Sequence, residues 1–223
     1  MQKTFLRVFI ILCKSVKVLI CIVCIPDKPL YCEEIMMLFH WIKERKARRA
    51  AAEKLYQMAA TQSRNPMFYQ GMGVSDSFDG RFDVLVLHIY MATERLNELG
   101  NPGRKLGQAL FDAMFRTMDL TLREMGVGDV GIPKRMQKMM KAFNGRAHVY
   151  HEALQTKNFP ELQSVIARNV YRSEGDAPPR GSEELTAYAF AVHDYFKTCS
   201  YDQFYNATGV FPETDVQEPK RAA

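Results

Sequence analysis

The sequence predicts an all-α fold, a single helical bundle of five or six helices preceded by an apolar N-terminal extension. From residue 37 onward, apolar residues recur at spacings of three and four, the period of a helix with one buried face. No stretch alternates cleanly at period two, as a half-buried strand would. With 223 residues, the chain is long enough for one domain with a full hydrophobic core.

The first two helices are separated by a loop. The first is predicted over residues 37–64 and ends before Asn65-Pro66, because the residue that precedes a proline is pushed out of helical space. Residues 67–79 are interpreted as a loop with room for one helical turn. The second helix, residues 80–100, is apolar nearly all round in its first half, which is typical of a buried central helix. The segment Gly100-Asn101-Pro102-Gly103 is expected to end it.

Four further segments complete the predicted bundle. A third helix covers residues 104–126, and Pro133 lies in the first turn of a fourth that extends to about residue 156. Asn158 and Glu161 have capping-box spacing at the start of a fifth helix. After a linker over 173–181, Ser182 is predicted to cap the last helix.

The predicted organisation has four parts: an extension at 1–35, a basic, aromatic, amphipathic helix at 36–64, a helical domain at 65–200 and a C-terminal tail at 201–223. A hydrophobic fraction of 47% and a charged fraction of 25% are ordinary for a soluble domain. The net charge of +5 is too small and too evenly spread to indicate DNA binding. Only Cys199 follows residue 35, so the body resembles a reduced, intracellular protein.

Three interpretations of residues 1–35 stay open. A membrane-spanning helix would hold Lys14 and Lys17 near the bilayer centre, at a cost of about 2.5–3.5 kcal/mol each. A signal peptide would need a small-x-small cleavage site, which this segment lacks. The favoured interpretation is upstream sequence, with synthesis starting at Met36 or Met37. Cys21-x-x-Cys24 lacks a second cysteine pair, so neither a zinc nor a redox role is expected.

Two short stretches carry most of the functional information. They are Gly80-Arg-Phe-Asp-Val-Leu-Val-Leu-His88 and Leu122-Arg-Glu-Met-Gly-Val-Gly-Asp-Val-Gly131, and each joins a helix to a glycine-containing turn with charges at fixed offsets. Neither contains a nucleophile–base pair, a metal-ligand cluster or a phosphate cradle. Together they resemble the ubiquinol–cytochrome c chaperone family over roughly residues 37–172.

The resemblance implies a non-enzymatic helical protein without a cofactor that assists assembly of respiratory complex III. Its implied client is newly made cytochrome b, with a small partner protein and the ribosome as further implied partners. The compact chain is similar to bacterial members, which implies a cytoplasmic location, peripheral on the inner membrane. Two alternatives stay open: a helical metal- or cofactor-dependent oxidoreductase using Asp112, Asp119, His148 or His151, and a lipid-binding module without a client.

Two surfaces are candidates for client binding. The first is a strip on the third helix whose opposite charges follow one another at spacings of four, three and four, namely Asp112, Arg116, Asp119 and Arg123. Such pairs stabilise a helix by only a few tenths of a kcal/mol, so a solvated face is the alternative. The second surface is a methionine face with Phe143 on the fourth helix, namely Met136, Met139 and Met140. Methionine fills cores and also suits adaptable contact surfaces.

A third surface is a candidate for membrane contact. In the first helix, four apolar residues precede five basic ones: Leu38, Phe39, Trp41 and Ile42, then Lys43, Arg45, Lys46, Arg48 and Arg49. Aromatic groups suit headgroup depth, and each Lys or Arg near anionic lipid contributes about 1 kcal/mol. The pattern therefore predicts contact with an anionic membrane surface. Ribosomal RNA contact and a solvated extension are the alternatives.

Other motifs have structural interpretations. Gly126-x-Gly128-x-x-Gly131 matches the dinucleotide fingerprint, but a helix precedes it where a strand is required. A helix C-cap and tight turn are predicted instead, with Asp129 bonding backbone amides there. His148 and His151 lie one turn apart without further ligands, so no metal site is expected. His88 is predicted to pack in or beside the core.

Overall fold

A computed structural model describes residues 30–173, 175 and 177–212, with side chains from residue 36 onward. Within these residues the regular structure is helical and contains no strand, so the all-α prediction is confirmed. The helices are α1 (Leu30–Ser63), α2 (Phe78–Glu98), α3 (Gly100–Glu124), α4 (Gly131–Gln155), α5 (Phe159–Asn169), α6 (Ser182–Thr198) and α7 (Tyr201–Asn206), with a π-helical turn at Met67–Gly71. The predictions for residues 1–29, for Cys21-x-x-Cys24 and for the end of the tail lie outside the described residues.

The chain divides into two compact units, residues 1–46 and residues 47–223, and the core lies in the second. Within that unit, α1 buries one face through Ala52, Leu55 and Ala59, which are fully covered. Helix α2 is central, since it contacts α3, α4 and α6 and buries consecutive side chains from Phe82 to Ala92. Its nearly all-round apolar first half therefore corresponds to a helix with neighbours on several sides.

The junction between α2 and α3 differs from the predicted turn. Only Leu99 separates the two helices, and the Asn-Pro-Gly segment that follows Gly100 forms the first turn of α3. Proline fits there because the first backbone N–H groups of a helix have no intrahelical partner. Gly100 has a φ of +80°, which allows the sharp change of direction. The segment that was expected to end one helix therefore also begins the next.

The C-terminal part also departs from the predictions. Gly181 is the N-cap of α6, whereas the Ser182 hydroxyl, predicted to be the cap, accepts a hydrogen bond from Gln163 Nε2 at 3.3 Å. Helix α7, which was not predicted, begins with a capping box formed by Ser200 and Gln203. Beyond it, the chain buries Val210 and Phe211. Residues 201–212 thus pack into the bundle, although they fall in the segment predicted to be a tail.

Candidate functional site

The charged strip on α3 is largely exposed, but each of its four side chains is bonded within the protein. Arg116 Nη1 donates to Glu53 Oε2 of α1 at 3.1 Å, and Gln108 Nε2 donates to Asp112 Oδ1 at 2.8 Å. Arg123 donates to Asp119 Oδ2 at 2.8 Å and to Asp129 Oδ1 at 2.9 Å. The predicted bonds from Asp129 to backbone amides are therefore replaced by an ion pair with Arg123.

These ion pairs contribute little to stability. The side chains of Arg116 and Glu53 are 43% and 46% exposed, and exposed pairs are typically worth about 0–1 kcal/mol. Together with its ion-pair partners Glu53 and Asp129, the strip has four carboxylates and the two guanidinium groups of Arg116 and Arg123. The formal excess is two negative charges. It is a surface with an acidic bias.

The methionine face of α4 divides into two parts. Met136 and Met139 are half-buried and pack against the core. Phe143 is buried, with its ring centroid 5.1 Å from that of Phe111. Met140 is 42% exposed. Met136 and Met139 thus fill gaps between helices, and only Met140 is an exposed large hydrophobic residue of this face.

The apolar and basic segment of α1 is exposed along its length. Leu38, Phe39, Trp41 and Ile42 have exposures of 47–55%, and the Arg45 guanidinium lies 5.4 Å from the centre of the Trp41 ring. An α-helix turns 100° per residue, so these four apolar side chains fall within an arc of about 160° on one side, and the five basic side chains overlap that arc. Apolar and basic residues are therefore segregated along the helix, where they follow one another on the same side.

A buried ion cluster was not predicted. Asp83, in the first motif, is 1% exposed, and its oxygens lie 2.8 Å from Arg146 Nη1 of α4 and 3.1 Å from Arg172 Nη2. Burial raises the pKa of Asp83 to about 6, and the two arginines only partly offset that effect. The sequence contains one signal for this cluster, which is an Asp inside an apolar run. Such an Asp is rarely buried without a charged partner.

A second polar cluster joins α2, α4 and α6. Glu94 accepts hydrogen bonds from His151 Nδ1 at 2.8 Å and Gln155 Nε2 at 3.1 Å, and it lies 3.5 Å from His193 Nε2. Burial raises the pKa of Glu94, but these three partners outweigh burial and leave it lowered. His148 instead lies near Glu152, at 3.7 Å. The described residues contain no group of three or more His, Cys, Asp or Glu placed to hold a metal ion.

His88 is a core histidine. Its Nδ1–H donates to the Val84 carbonyl at 2.8 Å, so its Nε2 accepts from the Tyr188 hydroxyl at 2.7 Å. Tyr188 in turn accepts from Gln62 of α1 at 3.1 Å. Burial lowers the pKa of His88 to about 4, which keeps the ring neutral at physiological pH. This chain of hydrogen bonds joins α1, α2 and α6.

The glycines of the two motifs have structural roles. A Cβ at Gly80 would lie 2.0 Å from the Ser75 carbonyl oxygen, so only glycine fits at the start of α2. Gly126 has a φ of +76°, and the N–H groups of Gly126 and Val127 bond back to the carbonyls of Arg123 and Leu122. This is a helix C-cap, as predicted for the glycine-rich turn.

The model of the ubiquinol-cytochrome C chaperone family matches residues 70–211. The chain belongs to that family. The matched segment contains both motifs, the charged strip and the methionine face. It begins later and ends later than the resemblance indicated, since it excludes α1 and includes α6 and α7.

Two relatives agree with this family membership. The chain is 22% identical over 140 residues to the ubiquinol-cytochrome-c reductase complex assembly factor 1 of Xenopus laevis. The aligned segment covers 63% of this chain and 69% of the relative. It is also similar to the crystal structure of the Cbp3 homolog from Brucella abortus, at 30% identity and a TM-score of 0.67. That similarity covers 78% of this chain and 94% of the homolog.

Proposed function

We propose that this protein assists assembly of ubiquinol–cytochrome c reductase by binding newly made cytochrome b at the cytoplasmic face of the inner membrane. The family match over residues 70–211 is the observation that carries the proposal. The name of the Xenopus laevis relative, an assembly factor of that reductase complex, agrees with it. An unassembled membrane subunit exposes apolar and cofactor-binding surfaces until its partners cover them, and a chaperone shields those surfaces in the meantime.

The charged strip suits the loops of such a client. Cytoplasmic loops of polytopic membrane proteins carry an excess of Lys and Arg. The strip has an acidic bias, and Asp112 accepts only from the uncharged Gln108, so its carboxylate can pair with a basic loop. The exposed Met140 of α4 offers a separate, adaptable apolar contact. Charge attraction and apolar contact together would hold the client reversibly.

We expect the double change Asp112→Lys and Asp119→Lys to reproduce part of the defect caused by deleting the gene. The change reverses two charges on the strip, so basic client loops are repelled where they were attracted. The measurement is the amount of b-type haem in dithionite-reduced spectra of membranes, beside complex III activity. A matched control, Glu152→Lys with Asp194→Lys, reverses two exposed carboxylates on α4 and α6 and should leave both readouts unchanged.

Circular dichroism must show that both double variants remain folded. If complex III assembles as well with the reversed strip as with the unchanged protein, the client binds elsewhere on the protein. Unchanged cytochrome b and unchanged complex III activity in a deletion strain that has no second copy of the gene would refute the proposed function itself.

None of the described helices is long and apolar enough to cross a membrane. The α1 segment with its exposed aromatic residues is our candidate for peripheral attachment. We expect Phe39→Ser with Trp41→Ser to weaken binding to anionic vesicles by about tenfold or more, because burying a large apolar side chain is worth about 1.5–3 kcal/mol. Binding should also fall at high salt, since salt screens the attraction between basic residues and lipid.

The binding measurement is vesicle co-sedimentation, made with the full chain and with a version that begins at Met37. His40→Ser, which removes an exposed polar side chain from the same segment, is the control and should bind as well as the unchanged protein. Equal binding by the Phe39 and Trp41 double variant would show that this segment is not the attachment site.

A further inference from the structure

The exposed large hydrophobic residues of the second unit are concentrated at one place. Among its described residues they are Leu120, Met125, Val130 and Met140, with exposures from 42% to 81%. All four lie on the last turns of α3, the connecting turn or the first half of α4. Val130, at 81%, is the most exposed of them. We call Leu120, Met125 and Val130 the hairpin tip.

Basic residues follow the hairpin tip directly. Lys134, Lys138 and Lys141 are exposed at spacings of four and three, so they form one stripe on the outer side of α4, and the exposed Arg135 lies beside it. No carboxylate among the described residues forms an ion pair with these four cations.

The nearby carboxylates only partly balance those cations. Asp119 and Asp129 share one cation, Arg123, which leaves one net negative charge there. The exposed Glu124 adds a second, so two net negative charges stand against the four cations. The uncompensated charge beside the hairpin tip is therefore mainly positive. An apolar tip with flanking cations is complementary to a surface that combines hydrocarbon with negative charge.

We infer that the α3–α4 hairpin is a membrane-contact site whose tip inserts among the headgroups of an anionic bilayer while the α4 lysines bind lipid phosphates. A lipid surface fits better than a protein partner, because three side chains around one turn cannot supply the roughly 800 Å² per partner that a stable protein interface buries. The inference deepens the proposed function by naming a surface of the bundle that meets the membrane. Its test uses lipid alone, so it does not depend on the client's identity.

The single tryptophan of the chain makes a direct test practical. In the full chain with Trp41→Phe, Val130→Trp places one fluorescent reporter on the hairpin tip. With vesicles of mixed phosphatidylcholine and phosphatidylglycerol, its emission should move to shorter wavelength, and brominated lipids should quench it. A reporter at the exposed Ala187 of α6, made as Ala187→Trp in the same background, should show neither effect. Vesicles of phosphatidylcholine alone should give weaker quenching at Val130.

The lysines are tested with the same reporter. Each Lys near an anionic surface strengthens binding by about fivefold. Changing Lys134, Lys138 and Lys141 to Gln should therefore raise the lipid concentration for half-maximal quenching by about tenfold or more. Changing the exposed Lys54, Lys105 and Lys197 to Gln removes the same charge elsewhere and should have a much smaller effect. Equal effects of the two triple changes would overturn the site, because binding would then follow only the net charge.

A second variant guards against attraction of the added tryptophan to lipid. Met125→Ser with Val130→Ser, in the otherwise unchanged chain, should lower co-sedimentation with the anionic vesicles. A Val130 reporter that stays unquenched while the protein sediments with vesicles would overturn the inference. A deletion strain with normal complex III would refute the proposed function and leave the vesicle result standing.

Discussion

Replacing Arg146 with alanine is expected to lower the free energy of unfolding at pH 7 by about 3–5 kcal/mol, the usual cost of breaking a buried ion pair by removing one partner. The change leaves Asp83, 1% exposed, with only the half-exposed Arg172 as a charged partner within 4 Å among the described residues. It also removes a cation that lies 5.9 Å from the centre of the Phe82 ring. For a domain of this size, the melting temperature should fall by roughly 10 °C.

Urea unfolding followed by circular dichroism measures the loss. Arg116→Ala is the control, because its exposed pair with Glu53 should be worth no more than about 1 kcal/mol. The loss caused by Arg146→Ala should be smaller at pH 5 than at pH 7, since Asp83 is then largely protonated and needs a cation less. A loss below that of the control would show that Arg146 does not stabilise the buried carboxylate.

The second large effect is a pair of opposing pH dependences. In the folded protein the pKa of His88 is about 4, well below its ordinary value of 6.5, so on acidification the unfolded chain takes up a proton before the folded chain does. Stability from this group is complete above pH 6.5 and falls by about 2 kcal/mol between pH 7 and pH 5. Asp83 acts in the opposite direction. Its folded pKa of about 6 exceeds its ordinary value of 3.8, so the folded state takes up the proton first. Asp83 therefore adds about 1 kcal/mol of stability as the pH falls from 7 to 5.

Two substitutions separate these contributions. Asp83→Asn should make the loss of stability between pH 7 and pH 5 larger by about 1 kcal/mol, because it removes the compensating proton uptake. His88→Gln should make that loss smaller by about 2 kcal/mol. The measurement is the free energy of unfolding in urea at the two pH values, compared within each variant so that a general loss of stability cancels. The same pH dependence in all three proteins would contradict both pKa shifts.

Much of the fold could be predicted because its determinants are local. Helical periodicity, the N-cap at Asn158 and the glycine after α3 depend on neighbours within a few residues. One error occurred where local signals conflict. Gly100-Asn101-Pro102-Gly103 contains residues that end helices and a proline that also begins them, and the sequence alone did not decide between the two.

The candidate surfaces divide in a similar way. The charged strip could be recognised from spacing, but Arg116 binds Glu53 and Arg123 binds Asp129, which same-face spacing on α3 did not indicate. The methionine face was predicted as one surface, yet only Met140 is exposed to the extent of a contact residue. The hairpin tip was missed because its apolar residues lie on two helices and a turn, so they share no periodic pattern.

By itself, the sequence determined the all-α class, the approximate helices and the resemblance to a chaperone family, since periodicity, caps and ordered motifs are properties of short segments. Only the tertiary structure decided which polar groups meet. Arg172 lies 89 residues from Asp83, and His151 lies 57 residues from Glu94. A helix pattern shows which face is buried and not which helix covers it, so such pairs depend on packing. The exposure of Val130 also depends on packing, because it reflects which surface the other helices leave uncovered.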